Sequence, residues 1–443
     1  MYWKWWFAAA LAAAVVPARA QDDELSKLRE ALRQLQQQVQ ELEKRVQEAE
    51  PKSGKAEPTA PPVPPPPAQP GRTGGSNAFN PDISLILQGT AARSSLEPDS
   101  YQITGFAPSG GEVSPAPRGF SLGESELFIT SNVDPYFRGQ LAAALTPDNA
   151  LEVEEAFFQT LALGGGFTLK GGRFLSGIGY QNEIHQHAWD FQDAPLAYKA
   201  FLGGRLNDDG VQVRWLAPTD LFVELGGELA RGRSFPATDN NRNGANAWSV
   251  FGHVGGDVGE SIAWRGGLSY LGASPQDRAF TDLNSTQSFT GDSSTWIADF
   301  VLKWAPDGNA SVTSLKLQGE YFRRKESGAL TFDTSTGDYA SLQSGWYAQA
   351  VYQFMPRWRV GYRYDRLDHG TVTNGLGLTA QDAPLLLTDY NPTRNTAMVD
   401  WSLTEFSRFR LQYAVDKSRV DLTDNQVLLQ YILSLGAHGA HKF

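Results

Sequence analysis

The feature that most constrains the fold of this chain is a repeated alternation of apolar and polar side chains. From residue 78 to residue 443 the chain consists of segments of about ten residues that alternate in this way and are joined in pairs. In "WIADFVLKW", Trp296, Phe300 and Trp304 occupy one set of alternating positions, and Asp299 and Lys303 occupy the other. Successive side chains of a strand point to opposite faces, so each segment predicts a β-strand with one apolar and one polar face.

A water-soluble antiparallel sheet also alternates, so alternation alone does not show whether the apolar face contacts lipid or a protein core. Aromatic side chains concentrate at strand ends, as Trp296 and Trp304 do, in the manner of an interfacial girdle. The polar faces carry full charges, and very short connections alternate with long ones, as in outer-membrane barrels. The pattern therefore favours an all-β transmembrane barrel over a soluble sheet.

The short connections predict the number of strands. We find seven, near residues 133–136, 164–166, 218–220, 258–260, 306–309, 355–356 and 404–405. Seven such turns within a closed barrel predict sixteen antiparallel strands, with both ends of the barrel domain on the periplasmic side. The first strand is predicted at residues 83–92, and the last begins near Gln426. Eighteen strands is the alternative.

The beginning of the chain predicts export from the cytoplasm. Residues 1–20 contain Lys4, an apolar run and the pattern Ala18-Arg19-Ala20, which together are typical of a cleaved signal peptide. The run is too short for a membrane-spanning helix, which disfavours the alternative of a retained anchor.

There is no cysteine, which excludes disulfides and thiolate metal sites. The formal charge of −11 becomes −13 without residues 1–20 and argues against nucleic acid as a partner.

Residues 21–50 predict a coiled coil. The heptad core positions are Leu25, Leu28, Leu32, Leu35, Val39, Leu42, Val46 and Ala49. A period of 3.5 residues kept over this length indicates helix partners, whereas a single amphipathic helix is the alternative. Residues 51–77 are rich in proline and predict a stiff polyproline II spacer. The heptad pattern leaves dimer and trimer open.

The end of the chain, "GAHGAHKF", contains His438, His441 and Phe443. On a strand, His438 and His441 would lie on opposite faces, which argues against a shared metal ion. The terminal Phe443 resembles the aromatic residue with which many outer-membrane barrels end, and which their insertion machinery recognises.

Two resemblances extend these expectations. The order of signal peptide, coiled coil, spacer and barrel resembles the phosphate-selective porins of the O and P type, as does "EEAFFQTLALGGGFTLKGGRFLSGIG". The segments "GFSLGESEL", "HQHAWDFQDAPL" and "GAHGAHKF" resemble proteobacterial outer-membrane proteins labelled zinc-regulated or TonB-dependent-receptor-like. The resemblances imply a homo-trimer held by residues 25–49 and a role for zinc as regulator or cargo. A TonB-dependent receptor would also need a folded plug and twenty-two strands, which this sequence does not predict.

The long connection at residues 176–200 is the predicted constriction loop. It carries the polar side chains Glu183, His185, His187, Asp190 and Asp193. On an extended segment His185 and His187 project to the same side, and with a carboxylate they could bind Zn²⁺. A hydrogen-bonded loop without metal is the favoured alternative, because three or four ligands must converge.

The strands near the chain end predict a basic stripe on the inner face of the barrel. Its members are Arg357, Arg359, Arg363, Arg408 and Arg410. We expect this stripe near the periplasmic end, separate from the acidic loop, which suits a weakly selective pore. The charged inner face also predicts an open lumen.

These features predict a passive channel for small solutes, including metal ions or anions, in the outer membrane of a Gram-negative bacterium, with the coiled coil in the periplasm. A TonB-coupled zinc receptor is one alternative. An envelope tether reaching peptidoglycan or a periplasmic partner is another. The sequence contains no convincing catalytic constellation and requires no resident cofactor, so we do not expect an enzyme.

Overall fold

The computed structural model describes residues 81–107, 113–146, 149–238, 243–282 and 285–436. The predicted signal peptide, coiled coil and spacer lie outside the described residues, as do His438, His441 and Phe443. The expectations for these segments stay predictions.

The described residues form one closed antiparallel sheet in which β1 pairs with both β3 and β18. Its strands are β1 (Asp82–Ser94), β2 (Gly119–Leu122), β3 (Ser125–Asn132), β4 (Phe137–Leu145), β5 (Leu151–Thr160), β6 (Phe167–Leu175), β7 (Asn207–Leu216), β8 (Phe222–Ala230), β9 (Ala247–Val258), β10 (Ile262–Ala273), β11 (Arg278–Asp282), β12 (Ser285–Trp304), β13 (Ser314–Phe332), β14 (Ser335–Met355), β15 (Trp358–Asn374), β16 (Thr393–Thr404), β17 (Ser407–Lys417) and β18 (Asp424–Gly436).

Sixteen of these strands make up the barrel wall, as predicted. The two others, β2 and β11, contain 4 and 5 residues and pair only with part of β1 and β12. Strands this short cannot cross a bilayer, which needs about 9–11 residues. The alternative of eighteen spanning strands is therefore wrong for the described residues.

The seven predicted short connections are confirmed, since each lies between consecutive strands of the wall. The shortest are residues 356–357 between β14 and β15 and residues 405–406 between β16 and β17. The predicted first strand at residues 83–92 lies within β1, and β18 begins two residues before Gln426. These seven connections mark one end of the barrel, which we call the short-turn end.

The two faces of the wall differ as the alternation predicts. On β12, Trp296 and Phe300 are half exposed on the outer face, whereas Ile297 and Val301 are fully buried inside. At the short-turn end, Trp358, Trp401 and Phe409 stack across β15–β17, with ring centroids 5.9 Å apart in each pair. Such a row of aromatic rings is typical of a membrane interface.

Helices are few and short in the described residues. They are α1 (Leu196–Leu202) and α2 (Pro384–Leu387), with single 3₁₀ turns at Pro98–Ser100, Gln186–Ala188 and Pro306–Gly308. None of the described helices has the length and apolar character needed to cross a bilayer.

The interior of the barrel contains an apolar core. Residues 176–206, which we call the inward segment, connect β6 and β7, and all seven residues of α1 are buried. Phe201 stacks on Phe322 of β13 with a centroid distance of 6.0 Å, and Phe106 of the β1–β2 connection packs edge-on against Phe201 at 5.8 Å. The lumen is therefore not open throughout, and the expectation of a simple open lumen is wrong where α1 and its apolar neighbours fill the barrel.

Candidate functional site

The candidate site is the contact between the inward segment and the inner wall of the barrel. Glu320 of β13 anchors the middle of this segment. Its carboxylate accepts hydrogen bonds from the backbone N–H groups of Tyr180 (3.1 Å) and Gln181 (3.0 Å) and from the Tyr198 hydroxyl. The hydroxyl of Tyr347 on β14 donates to the same carboxylate at 2.6 Å. Four donors on one buried carboxylate hold the segment inside the barrel.

The five residues predicted for the constriction loop all lie on the inward segment. Glu183 forms an ion pair with Arg214 of β7. The other four divide into two groups that contact different parts of the wall: His185 and His187 face β3 and β5, while Asp190 and Asp193 face β13 and β15–β17.

The first contact, which we call the arginine–aspartate junction, joins Asp190 and Asp193 to cations of the wall. Asp190 accepts from Lys316 Nζ at 2.9 Å and from Arg359 Nη1 at 3.1 Å. Asp193 Oδ2 forms an ion pair with Arg394 Nη2 at 2.8 Å, and its Oδ1 accepts from Arg363 Nη2 at 3.3 Å. The loop acids and the wall arginines are therefore in direct contact, and the expected separation into two rings of opposite sign is wrong.

Backbone carbonyls of the inward segment are held by the same stretch of wall. On β17, Arg408 donates to the carbonyl oxygen of His187 at 2.6 Å, and Arg410 donates to that of Trp189 at 2.8 Å. Arg410 also pairs with Asp400 of β16 at 2.9 Å. These arginines serve to hold the segment rather than to present a bare basic surface.

Arg357 does not belong to this stripe. It lies in the two-residue turn between β14 and β15 with φ +72°, is exposed, and donates to the carbonyl oxygen of Leu403. The prediction for Arg357 is wrong because this residue belongs to the turn. The first arginine of β15 that faces the inside of the barrel is Arg359.

Charge contacts shift the pKa values on the inward segment. Burial would raise the pKa of Asp190, but Lys316 and Arg359 hold it well below its usual range. Burial opposes ionisation of Asp193 too, and Arg394 and Arg363 likewise keep its pKa low. Burial lowers the pKa of Lys199 to about 8, although Asp193, 3.8 Å from its Nζ, opposes this shift.

The second contact, which we call the histidine–glutamate junction, joins His185 and His187 to glutamates of the wall. His185 Nδ1 lies 3.3 Å from Glu126 Oε2 and 3.2 Å from Glu154 Oε2, while its Nε2 lies 3.1 Å from Glu155 Oε2. His187 Nδ1 lies 3.0 Å from Glu126 Oε1. Burial would lower the pKa of His185, but its contacts with the carboxylates of Glu126 and Glu155 raise it to about 10.

A β-bulge places two consecutive glutamates on the same side of β5. The register of β4 and β5 shifts between Ala142 and Ala143, which leaves Glu154 without a partner residue on β4. Glu154 and Glu155 are consequently both buried inside, although neighbours on a regular strand point to opposite faces. The pair "EE" in an alternating strand was the available signal, because a carboxylate facing lipid is costly.

Ligand atoms of Glu126, Glu154 and His185 all lie within 4.8 Å of one another, an arrangement that could hold a metal ion. His187, the predicted second ligand, is not in this group and instead contacts Glu126. The sequence therefore predicts His185 at this place but misses the carboxylates, which come from the wall and not from the loop.

Two cavities lie beside the inward segment towards the short-turn end. One, of about 600 Å³, is lined by Asp190, Lys316 and Arg359 of the arginine–aspartate junction. The other, of about 550 Å³, is lined by His185, His187 and Glu155 of the histidine–glutamate junction. Both junctions can therefore be reached by water from this end.

Comparison of the sequence with known proteins shows the family of this chain. It is 34% identical over 395 residues to an uncharacterized protein of Aquifex aeolicus, a match that covers 83% of this chain and 80% of that protein. This chain belongs to the same family as the Aquifex protein. No protein-family model matches it.

Solved structures identify the type of barrel. A loop L8 deletion mutant of OmpT, an outer membrane protein of Vibrio cholerae, matches with a TM-score of 0.50 and 11% identity, covering 80% of this chain and 99% of that one. OmpF of Salmonella typhi, in complex with daunomycin, matches with a TM-score of 0.50 and 13% identity, covering 81% and 99%. At these identities the likeness shows the fold alone, which is a porin-like barrel. The phosphate-selective type stays a prediction.

Proposed function

We propose that this protein is an outer-membrane channel through which small hydrophilic solutes diffuse passively past the inward segment. The observation that carries the proposal is the polar interior around the two cavities at the short-turn end, inside a closed barrel with an apolar outer face. A barrel of this kind with a polar interior is typical of a water-filled channel. The inward segment then forms the constriction.

The charges of this constriction favour weak selectivity. The cavity beside Asp190 also contains Lys303, Lys316 and Arg359, so both signs line the same passage. A filter dedicated to anions would concentrate lysines and arginines at the narrowest point, without carboxylates between them. We propose small neutral solutes and ions of either sign as cargo, with metal ions as a second class that the histidine–glutamate junction favours.

The alternatives receive less support from the described residues. Plugged transporters of the TonB-dependent type have twenty-two strands, whereas the wall here has sixteen. A barrel that served only as an envelope tether would not require charged side chains between the inward segment and the inner wall. A homo-trimer through residues 25–49, with the coiled coil in the periplasm, remains a proposal that rests on the heptad pattern.

Solute uptake into liposomes tests the proposal. Folded protein, identified by its heat-dependent migration in a gel, is reconstituted into liposomes and diluted into isotonic solutions of small sugars of increasing size. We expect swelling that slows as the sugar becomes larger. Heat-unfolded protein from the same preparation is the matched control, and absence of swelling with folded protein would refute the channel.

A further inference from the structure

The ligand atoms of the histidine–glutamate junction have the spacing of a metal site. Neighbouring ligands in a tetrahedral site with bonds of about 2.0–2.2 Å lie about 3.3 Å apart. His185 Nδ1 is 3.3 Å from Glu126 Oε2 and 3.2 Å from Glu154 Oε2. The three side chains come from β3, β5 and the inward segment, so the wall brings them together without a local sequence motif.

One hydrogen bond from His185 Nδ1 does not satisfy both carboxylates that approach this nitrogen. An imidazole Nδ1 carries at most one proton, yet two carboxylate oxygens from different strands approach it. Oε2 of Glu126 is buried and accepts no hydrogen bond. A cation between the three ligand atoms would contact both carboxylates and Nδ1 at once.

The surroundings of His185 match those of a metal-ligating histidine. Its Nε2 lies 3.1 Å from Glu155, and this carboxylate accepts from Gln140 Nε2 at 2.7 Å and from the Leu175 N–H at 3.2 Å. Ligating histidines almost always donate their other N–H to such a partner, which directs the remaining nitrogen at the metal. His187, 3.0 Å from Glu126 Oε1, orients that carboxylate in the same way.

The charges of the junction leave room for a divalent cation. Four glutamates meet here, because Glu124 joins Glu126, Glu154 and Glu155 through their shared contact with Arg205 and the histidines. Arg205 and Lys170 are two cations that act on them. A metal ion takes the place of the proton on His185 Nδ1, so a divalent cation would bring its charge to these carboxylates.

We propose that Glu126, Glu154 and His185 bind a divalent transition-metal cation, which fastens the inward segment to β3 and β5. One imidazole with carboxylate oxygens suits Zn²⁺ and related first-row ions better than Mg²⁺ or Ca²⁺. The adjoining cavity of about 550 Å³, lined by His185 and Glu155, gives the ion a path from the short-turn end. The proposal concerns binding and holds whether or not the barrel conducts.

Zinc titration of the purified full-length protein tests this site. The chain has six histidines, and His438 and His441 lie outside the described residues, so all measurements use a chain with His438→Ala and His441→Ala. Folded barrel in detergent is treated with a chelator, dialysed and titrated calorimetrically with zinc chloride. We expect saturable binding of one Zn²⁺ per chain.

The variants His185→Gln and Glu154→Gln should each weaken Zn²⁺ binding by more than about 100-fold, since even an outer partner of a ligand contributes 10–100-fold. The matched control is His253→Gln, which removes another buried histidine whose Nδ1 lies 3.1 Å from a single glutamate, Glu224. It should leave Zn²⁺ affinity unchanged. Glu154→Gln keeps the test decisive if His185→Gln fails to fold.

Three outcomes would overturn the proposal: no saturable binding to folded protein, affinity unchanged in both ligand variants, or equal weakening in His253→Gln. Stoichiometric zinc binding by a barrel that gives no solute uptake would refute the channel and leave this site standing. Uptake without zinc binding would do the opposite.

Discussion

The inward segment meets the barrel wall at two junctions whose charges are arranged in opposite ways. At the arginine–aspartate junction the segment supplies the carboxylates, Asp190 and Asp193, and the wall supplies the cations. At the histidine–glutamate junction the wall supplies the carboxylates and the segment supplies the imidazoles of His185 and His187. One connection between two strands thus uses two kinds of attachment.

The difference determines which attachment can change. A guanidinium does not lose its proton in a protein, and the pKa values of Asp190 and Asp193 are held low, so their contribution is present above the usual aspartate range and is lost only in strong acid. An imidazole can be neutral or charged, and it can bind a metal. The arginine–aspartate junction is therefore a permanent attachment. The histidine–glutamate junction is an attachment that can change, because its imidazoles can gain or lose a proton or bind a metal.

The largest expected effect is that of Asp193→Asn. The change leaves Arg363, Arg394 and Lys199 around a neutral amide, and breaking a buried ion pair from one side costs about 3–5 kcal/mol. The free energy of unfolding in urea should fall by this amount. Asp220→Asn, an exposed aspartate of the β7–β8 turn, is the matched control. Equal stability of the two variants would refute the permanent attachment.

The pH dependence of stability examines the same junction through Lys199. Burial lowers its pKa to about 8, whereas its ordinary value is 10.5. Between these values the unfolded chain binds a proton that the folded protein does not, so the free energy of unfolding should rise with pH, by up to roughly 3 kcal/mol.

Urea unfolding at several pH values from 7 to 11 measures this rise. Lys199→Met should abolish it, and Lys417→Met, at an exposed lysine, should not. A rise that persists in Lys199→Met would assign the effect to another group.

A smaller effect is expected for Glu155→Gln at the histidine–glutamate junction. His185 keeps Glu126 and Glu154 as partners when this carboxylate is lost, so no unpaired buried charge remains and the cost should be about 1–2 kcal/mol. Glu152→Gln, on the exposed face of the same strand, is the control. A loss as large as that of Asp193→Asn would show that the two junctions do not differ in kind.

The smallest effect concerns the anchor that lies apart from both junctions. Tyr198→Phe removes one donor from Glu320, which keeps the Tyr347 hydroxyl and two backbone N–H groups, so we expect a loss of about 1 kcal/mol. Tyr321→Phe on the outer face of β13 should have no effect on urea stability. A loss of more than about 3 kcal/mol would mean that Glu320 depends on this single hydroxyl.

Most of the fold could be predicted from the sequence, because the information is local. Strand alternation has a period of two, and a short turn is visible where two alternating segments nearly touch, as at residues 355–356 and 404–405. The strands β2 and β11 were not predicted. They are 4 and 5 residues long and form by pairing with β1 and β12. The local sequence does not predict such pairing.

The site could be predicted only in part. The histidines and aspartates of the inward segment stand close together in one long polar connection, which is a pattern that the sequence shows directly. Their partners, such as Glu126 and Arg394, lie more than 50 residues away and meet them only through closure of the barrel. The bulge at Glu154 reverses the expected face of one side chain, which strict alternation cannot show.

Single-channel conductance in planar lipid bilayers tests the central claim that the inward segment limits the passage. The wild-type protein is compared with Asp190→Asn/Asp193→Asn, which releases the arginine–aspartate junction, and with Asp220→Asn as control. We expect discrete channels in all three proteins, with conductance raised only in the double variant and selectivity shifted towards anions by the freed arginines. Absence of channels from folded protein, or equal conductance in the wild type and the double variant, would contradict the account.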